Sequence, residues 1–160
     1  MTNLRRVAWA VCAVLLAASP AAADVTGFVG VNTTPANRPV IGAALGAGAL
    51  VIGFEIEYAR TTVDETSRAP SLHTGMLNLF AQNPIPLAGL QLYVTFGGGV
   101  FREELGAART TSVGGNAGAG VKIALVSHLR LRVDYRVFKL AGSPINPTPK
   151  RVYLGLSVGF

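Results

Sequence analysis

One stretch of the chain, HLRLRVDYRVF at residues 128–138, alternates between two kinds of side chain. Every second residue from His128 to Arg136 is ionisable, and the residues between them are leucine, valine or tyrosine. A period of two predicts an extended strand whose side chains point alternately to opposite faces. One face of this strand therefore carries all of its charge, and the fold depends on whether that face meets water or is enclosed.

The composition favours a chain whose apolar face meets lipid. Of the 160 residues, 50% are hydrophobic and 14% are charged, and the mean hydropathy is +0.43. Roughly a quarter of an average soluble domain is charged, and a domain of this size has little room for an unusually large core. A soluble secreted barrel is the alternative, but its outer face would be expected to carry long lysine and glutamate side chains.

Residues 1–23 have the layout of a secretory signal peptide. Two arginines precede an apolar stretch of twelve residues, 7–18, and three alanines precede Asp24. The apolar stretch is too short for a transmembrane helix, which takes about 20 residues. We expect this signal to be removed, which leaves a single mature domain of residues 24–160. Cys12, the only cysteine, lies in the signal, so the mature chain is expected to have no thiol and no disulfide.

Turn residues separate eight strand-like runs in the mature chain. The predicted strands lie at residues 25–32, 39–46, 51–60, 72–82, 89–101, 111–125, 127–139 and 150–160. Longer polar connections follow the odd-numbered strands, and shorter ones follow strands two, four and six. This alternation is typical of transmembrane barrels with turns in the periplasm and loops outside the cell. The sequence therefore predicts an all-β, eight-stranded antiparallel up-and-down transmembrane β-barrel.

A transmembrane helix is the alternative interpretation of the uncharged stretch from Val40 to Phe54. This stretch contains Gly42 and Gly46 at the GxxxG spacing of helix pairs. It is too short to span a bilayer, and each glycine lowers helix propensity by about 1 kcal/mol relative to alanine. A hairpin that turns at residues 46–49 is the better explanation.

Several predicted strands have one uncharged parity and one parity that carries glycine and ionisable residues. Small residues suit the inside of a narrow eight-stranded barrel. An arginine on the lipid face costs about 2–4 kcal/mol near the bilayer midplane, so the charged parity is predicted to line a closed lumen. The residues of this predicted lumen charge network are Glu55, Glu57, Lys122, Arg130, Arg132, Asp134 and Arg136.

The third and seventh predicted strands lie on opposite walls of a ring of eight. We therefore expect at least one of Glu55 and Glu57 to form a salt bridge with an arginine of the seventh strand, which would plug the lumen. The registers of strands one, two and four stay open, because Phe28 and Phe80 fall on what would be the lumen parity.

The chain resembles the small outer-membrane β-barrels, the group of the OmpA transmembrane domain and OmpX-like proteins. The resemblance rests on the signal, the eight strands, the alternating connections and the C-terminal sequence VYLGLSVGF. It implies a location in a Gram-negative outer membrane and folding by the outer-membrane assembly machinery. We further expect a monomer in contact with outer-membrane lipid and lipopolysaccharide. The residues of the C-terminal assembly signal that it implies are Val152, Leu154, Leu156, Val158 and Phe160.

No residue pattern points to catalysis, a metal or a cofactor. His73 and His128 lie on different strands without ligands at metal-binding spacing, and neither has a serine placed as a nucleophile beside its base. Without the signal, 12 Lys and Arg oppose 8 Asp and Glu, a net charge of +4. The basic residues are scattered and lack interleaved aromatics, which argues against nucleic-acid binding.

These observations favour a barrel that is not an enzyme and has a structural or surface-interaction role. Its candidate contact loops are residues 61–71, 102–110 and 140–149. A narrow porin-like channel for small solutes is one alternative, and an enzyme that modifies lipid A or another lipid is a second.

Overall fold

The computed structural model describes residues 22–160, so nearly all of the predicted signal peptide lies outside the described residues. The described chain forms eight antiparallel strands: β1 (Ala22–Asn32), β2 (Arg38–Ala49), β3 (Ile52–Thr61), β4 (Ser71–Gln82), β5 (Leu90–Leu105), β6 (Ala108–Val126), β7 (Leu129–Leu140) and β8 (Lys150–Gly159). Each strand pairs with its neighbours in sequence, and β8 pairs with β1, which closes the barrel. The predicted fold class is confirmed.

The two faces of the sheet are inverted relative to those of a soluble barrel. On β3, Phe54 and Ile56 are 50% and 58% exposed, whereas Glu55 and Glu57 are 2% and 1% exposed. The same alternation runs along β8 and most of β7. An outward apolar face and an inward polar face are what a bilayer requires of a spanning barrel.

The structure also fixes the registers that the sequence left open. Phe28 of β1 pairs with Gly42 of β2, and Phe80 of β4 pairs with Gly53 of β3. Both phenylalanines are buried and face the lumen. They fit inside because a glycine lies opposite each ring.

The hairpin between β2 and β3 was predicted at the wrong residues. Its turn consists of Leu50 and Val51, not of residues 46–49. Gly46 and Gly48 instead continue the strand, paired with Glu55 and Gly53. Their small size serves the lumen and not the turn. Within residues 22–160, the structure contains no helix long and apolar enough to cross a membrane.

The predicted loop 102–110 is also wrong, because β5 and β6 extend through most of it. The two strands pair as far as Leu105 and Ala108, and only two residues form the turn. Gly106 has a φ of 57°, a left-handed conformation that glycine adopts without steric cost. Polar residues in this segment mark a hairpin that extends beyond the apolar part of the barrel.

The barrel has two distinct ends. The loop end carries the connections 33–37, 62–70, 106–107 and 141–149. The turn end carries the connections 50–51, 83–89 and 127–128, together with both ends of the described chain.

At the loop end, connecting segments fold across the mouth of the barrel. The Arg38 guanidinium donates a hydrogen bond to the carbonyl of Pro70 and a second, of 3.2 Å, to the carbonyl of Thr62. The Ile145 amide donates to Glu103 Oε2 at 2.8 Å. These bonds tie two of the loops to inward-facing charged residues and cover the lumen.

We predict opposite outcomes for valine substitutions at two neighbouring glycines. A Cβ at Gly42 would lie 2.2 Å from Phe28 Cζ, whereas a Cβ at Gly27 meets nothing within 4 Å. Gly42→Val should lower the free energy of unfolding by about 1–3 kcal/mol through overpacking. Gly27→Val, which adds apolar surface on the outer face, should leave it unchanged or raise it. Urea unfolding in vesicles, followed by heat-dependent electrophoretic mobility, measures both, and equal losses would contradict the lumen assignment of Gly42.

Candidate functional site

Three acidic and three basic side chains meet inside the barrel. β3 supplies two of them, β7 three and β8 one. None of the six is more than 2% exposed. The residues of this central charge cluster are Glu55, Glu57, Arg132, Asp134, Arg136 and Arg151.

Glu55 contacts two arginines that reach it from the opposite wall. Arg132 donates from Nη1 to Glu55 Oε2, and Arg136 Nη2 lies 2.8 Å from Glu55 Oε1. Asp134 lies between the two arginines, 3.1 Å from Arg132 Nη2 and 3.0 Å from Arg136 Nε. Because β3 and β7 are four strands apart in the ring, these contacts cross the full width of the lumen.

Glu57 completes the cluster on the side of the loop end. Its Oε2 lies 2.7 Å from Arg136 Nη1, and its Oε1 accepts a 2.9 Å hydrogen bond from Arg151 Nη1. Arg151 also donates to Thr74 Oγ1 at 3.2 Å. The cluster is electrically neutral, which is necessary because an isolated buried charge is very costly.

Two tyrosine hydroxyls add hydrogen bonds to the cluster. Tyr93 of β5 donates to Asp134 Oδ2 and accepts from Arg132 Nε at 2.6 Å. Tyr153 of β8 donates to the same oxygen at 2.9 Å and accepts from Arg136 Nη2 at 3.0 Å. Their rings also lie against the guanidinium groups, with Arg132 Cζ 4.9 Å from the Tyr93 ring centre. The tyrosines therefore act as both polar partners and packing surfaces.

A glycine makes the space that Tyr93 occupies. Gly120 lies on the inward parity of β6, and a Cβ there would come within 2.3 Å of the Tyr93 hydroxyl. In a barrel of eight strands the interior has room only for tightly packed side chains. The large cluster residues thus require small residues on the neighbouring strands.

The structure unites most of the predicted network and separates two of its members. The predicted residues that belong to the central cluster are Glu55, Glu57, Arg132, Asp134 and Arg136. Lys122 lies nearer the turn end and pairs with Asp24 at 3.1 Å. Arg130 is only half-buried and forms no ion pair within residues 22–160.

Sequence reasoning did not include three functional residues of the lumen. Arg151 and Tyr153 fall on the inward parity of β8, and Tyr93 falls on that of β5. The tyrosines count as apolar in a hydropathy pattern, so they were not identified as hydrogen-bonding partners. The parity itself was the signal that could have identified all three.

An apolar layer lies between the central cluster and the loop end. Its side chains come from β4, β5 and β7, and none is more than 5% exposed. The residues of this apolar layer are Leu72, Met76, Phe101, Phe138 and Leu140. Arg151 Cζ lies 4.5 Å from the centre of the Phe138 ring, so the two layers are in contact. Because these side chains bury one another almost completely, they fill the lumen at this level.

The two histidines lie away from the cluster. His73 Nδ1 lies 2.8 Å from the Tyr58 hydroxyl on the outer face, and His128 is in the turn after β6. Ser71 shares the outer face with His73, but its hydroxyl donates to the carbonyl of Glu104. Within residues 22–160, no group of three or more His, Cys, Asp or Glu residues is arranged to hold a metal ion.

The C-terminal strand presents its apolar residues outward. The exposed side chains at alternate positions are Val152, Leu154, Leu156 and Val158. Phe160 follows the strand with 75% of its side chain exposed, and its amide donates to the carbonyl of Ala23 at 2.9 Å. The last residue is thus fixed at the turn end next to the start of β1.

The fold is similar to that of solved small outer-membrane barrels. The N-terminal β-barrel domain of Pseudomonas aeruginosa OprF matches with a TM-score of 0.68 and 15% identity, covering 87% of this chain and 97% of that one. Neisserial surface protein A matches with a TM-score of 0.67 and 17% identity over 88% and 96%. The outer membrane enzyme PagL matches with a TM-score of 0.55 and 14% identity over 84% and 98%. No protein-family model and no curated protein matches the sequence.

We predict that stability distinguishes Glu55 from the half-buried Arg130. Glu55→Gln leaves three buried arginines with two carboxylates, Glu57 and Asp134, and should lower the free energy of unfolding by about 3–5 kcal/mol. Arg130→Gln changes a residue outside the cluster and should cost less than about 1 kcal/mol. Urea titration of both variants in the same vesicles tests this. Similar losses for the two variants would show that the cluster does not stabilise the barrel in the way its geometry indicates.

Proposed function

We propose that the chain is a monomeric integral barrel of a Gram-negative outer membrane, with a structural or surface-interaction role and a closed lumen. The observation that carries the proposal is the buried, neutral charge cluster inside a barrel whose outer face is apolar. Such a barrel would be unstable in water, where its outer face would be exposed, and stable in lipid.

The proposed orientation places the turn end in the periplasm and the loop end outside the cell. Periplasmic turns of such barrels are short and their external loops are longer. The charged residues on the outer face support this orientation, since Arg60, Arg102, Lys139 and Lys150 all lie near the loop end. Export would follow from the signal peptide of residues 1–23. Membrane fractionation tests the location: a heat-modifiable band in the outer-membrane fraction is expected, and a soluble protein would overturn it.

A closed lumen supports a structural role over transport. Arg132, Arg136 and Glu55 join opposite walls, and the apolar layer lies above them. An ion that crossed would have to break several buried charge pairs, each costly to separate. A narrow channel is the competing function and would require this cluster to open.

We expect the purified barrel to be silent in a planar bilayer. The intact cluster leaves no wide aqueous path, so no steady single-channel steps should be recorded at either polarity. The sample is protein whose electrophoretic shift shows that it is folded, inserted into the bilayer. A porin in the same bilayer serves as the positive control. Reproducible conductance steps from wild-type protein would favour the channel and overturn the structural role.

The enzyme alternative has a separate test. PagL shows that this fold can carry an enzyme, but Ser71 and His73 of this chain have other hydrogen-bond partners. Incubation of the folded protein with lipid A should leave the mass of the lipid unchanged. Loss of an acyl chain would overturn the proposed non-enzymatic role.

Assembly through the C-terminal residue gives a prediction with a matched control. Phe160 and Ile85 are both at the turn end and are 75% and 73% exposed. If Phe160 belongs to the assembly signal, Phe160→Ser should reduce the folded barrel in the outer membrane several-fold and leave refolding into detergent unchanged. Ile85→Ser removes a similar exposed side chain and should assemble normally. Equal amounts of the two variants in the outer membrane would contradict the role of Phe160.

A further inference from the structure

The positive charge of the protein lies on its surface, because the charges inside the lumen cancel. With the half-buried Arg130 at the turn end left aside, the inward-facing acids are Asp24, Glu55, Glu57, Glu103 and Asp134, and the inward-facing bases are Arg38, Lys122, Arg132, Arg136 and Arg151. Residues 22–160 contain 12 Lys and Arg against 8 Asp and Glu, a net charge of +4. One charge of this surplus belongs to Arg130 at the turn end, and the rest is carried by outward-facing and loop residues at the loop end.

Two arginines and a histidine form a continuous row on the outer face near the loop end. Arg60 of β3 pairs with His73 of β4, and His73 pairs with Arg102 of β5. Strands in a sheet are about 4.8 Å apart, so the two arginines flank His73 closely enough to reach the same ligand. Arg102 Nε also lies 3.2 Å from Glu104 Oε1, and Arg109 Nη2 lies 2.8 Å from the same oxygen. The row, with its neighbours Glu104 and Arg109, retains a net positive charge.

The side chain of His73 is oriented by a hydrogen bond within the outer face. The Tyr58 hydroxyl lies 2.8 Å from His73 Nδ1, and the two rings are tilted with centres 6.2 Å apart. This contact leaves Nε2 of the imidazole for another partner. Tyr58 is 56% exposed, as expected for an aromatic residue at a membrane interface.

A groove begins directly below the row. Gly75 faces outward between Tyr58 and Val100, and the missing side chain leaves a depression of about 430 Å³ that His73, Arg102 and their neighbours line. A second depression of about 490 Å³ lies farther toward the turn end, between Phe54, Leu77, Leu79, Phe96 and Gly97. The depression at Gly75 has polar groups only at the side of the loop end. The second depression is almost entirely apolar.

The row and the two depressions below it together span about the thickness of one membrane leaflet. From His73 to Leu79 the strand advances six residues, or about 20 Å at 3.3 Å per residue. A tilt of about 40° reduces this to about 15 Å along the membrane normal, half of a hydrocarbon core about 30 Å thick. The row would then lie at the headgroup level of the outer leaflet.

From this arrangement we infer that Arg60, His73 and Arg102 bind the phosphate of an outer-leaflet lipid, with one acyl chain lying along the groove below Gly75. Arginine and histidine donors suit a phosphate group, and arginine recognises it with paired hydrogen bonds. The inference rests on the proposed membrane location and orientation. It adds a defined binding site to general contact with lipid.

The test is native mass spectrometry of the folded barrel in detergent, with lipid A and with lipid A from which the phosphates have been removed. Wild-type protein should retain one phosphorylated lipid and bind the dephosphorylated form at least about tenfold more weakly, the effect of losing charge-assisted hydrogen bonds. Excess inorganic phosphate should not displace the lipid if the groove holds its chain. Displacement by phosphate alone would show an anion site without a lipid chain and would overturn the inference.

Matched variants separate this site from general electrostatic attraction. Arg60→Gln/Arg102→Gln should weaken lipid A binding about tenfold, whereas Lys139→Gln/Lys150→Gln removes the same charge from β7 and β8 and should change it less than twofold. Gly75→Leu fills the groove without a clash, since a Cβ there lies 3.7 Å from Val100 Cγ2, and should also weaken binding. Equal losses in the two double variants, or no loss in Gly75→Leu, would overturn the inference.

The same samples keep this inference distinct from the proposed function. Each variant is first checked for the electrophoretic shift of a folded barrel, and none of these outward-facing residues contacts the lumen cluster. A folded wild-type barrel in the outer membrane that shows no preference for the phosphorylated lipid overturns the lipid site alone. A wild-type chain that does not enter the outer membrane overturns the proposed function as well.

Discussion

The architecture depends on the contact between Glu55 and the two arginines that reach it across the lumen. Arg132 and Arg136 extend from β7, and Glu55 receives both on the opposite wall. Because the partners belong to distant segments of the chain, they can meet only when the sheet has closed. The penalty for burying unpaired charges then disfavours any arrangement that separates the walls or turns either strand over. The cluster thus specifies one parity for β3 and β7, and pairing through the intervening strands transmits that parity around the barrel.

The arginines could not be accommodated without the small residues of the neighbouring strand. Glycine is poorly suited to a strand on intrinsic propensity, yet β6 carries Gly118 and Gly120 opposite the inward residues Arg136 and Asp134. The loss of strand propensity is offset by space for side chains that would otherwise clash. A glycine also makes room for a large side chain near β1. There Phe28 stacks on Tyr153 with ring centres 4.2 Å apart and covers Gly42. In a lumen this narrow, the charged side chains can therefore pair only where neighbouring residues are small enough to leave space for them.

This coupling explains which features the sequence could predict. Alternation along residues 128–138 was sufficient to orient β7, and counting strands was sufficient to place it opposite Glu55. The turn at Leu50 and Val51 was not predictable in the same way, because glycines that serve lumen packing look like turn residues in a sequence. Arg130 shares the parity of Arg132 but lies one inward position nearer the turn end, where the lumen meets solvent. Parity specifies a face, whereas depth along the strand decides whether a charge on that face needs a partner.

A filled interior also moves the functional chemistry to the outside of the barrel. The charged groups of the lumen that could act on a solute are paired with one another, and an apolar layer covers them on the side of the loops. The remaining charge is concentrated around the loop end, where Arg60 and Arg102 flank the imidazole of His73. In a barrel of this kind the lumen provides rigidity, and the proposed recognition would take place on the loops and on the outer wall. The rigid wall in turn holds Arg60, His73 and Arg102 of three adjacent strands at fixed spacing, which a flexible loop would not do.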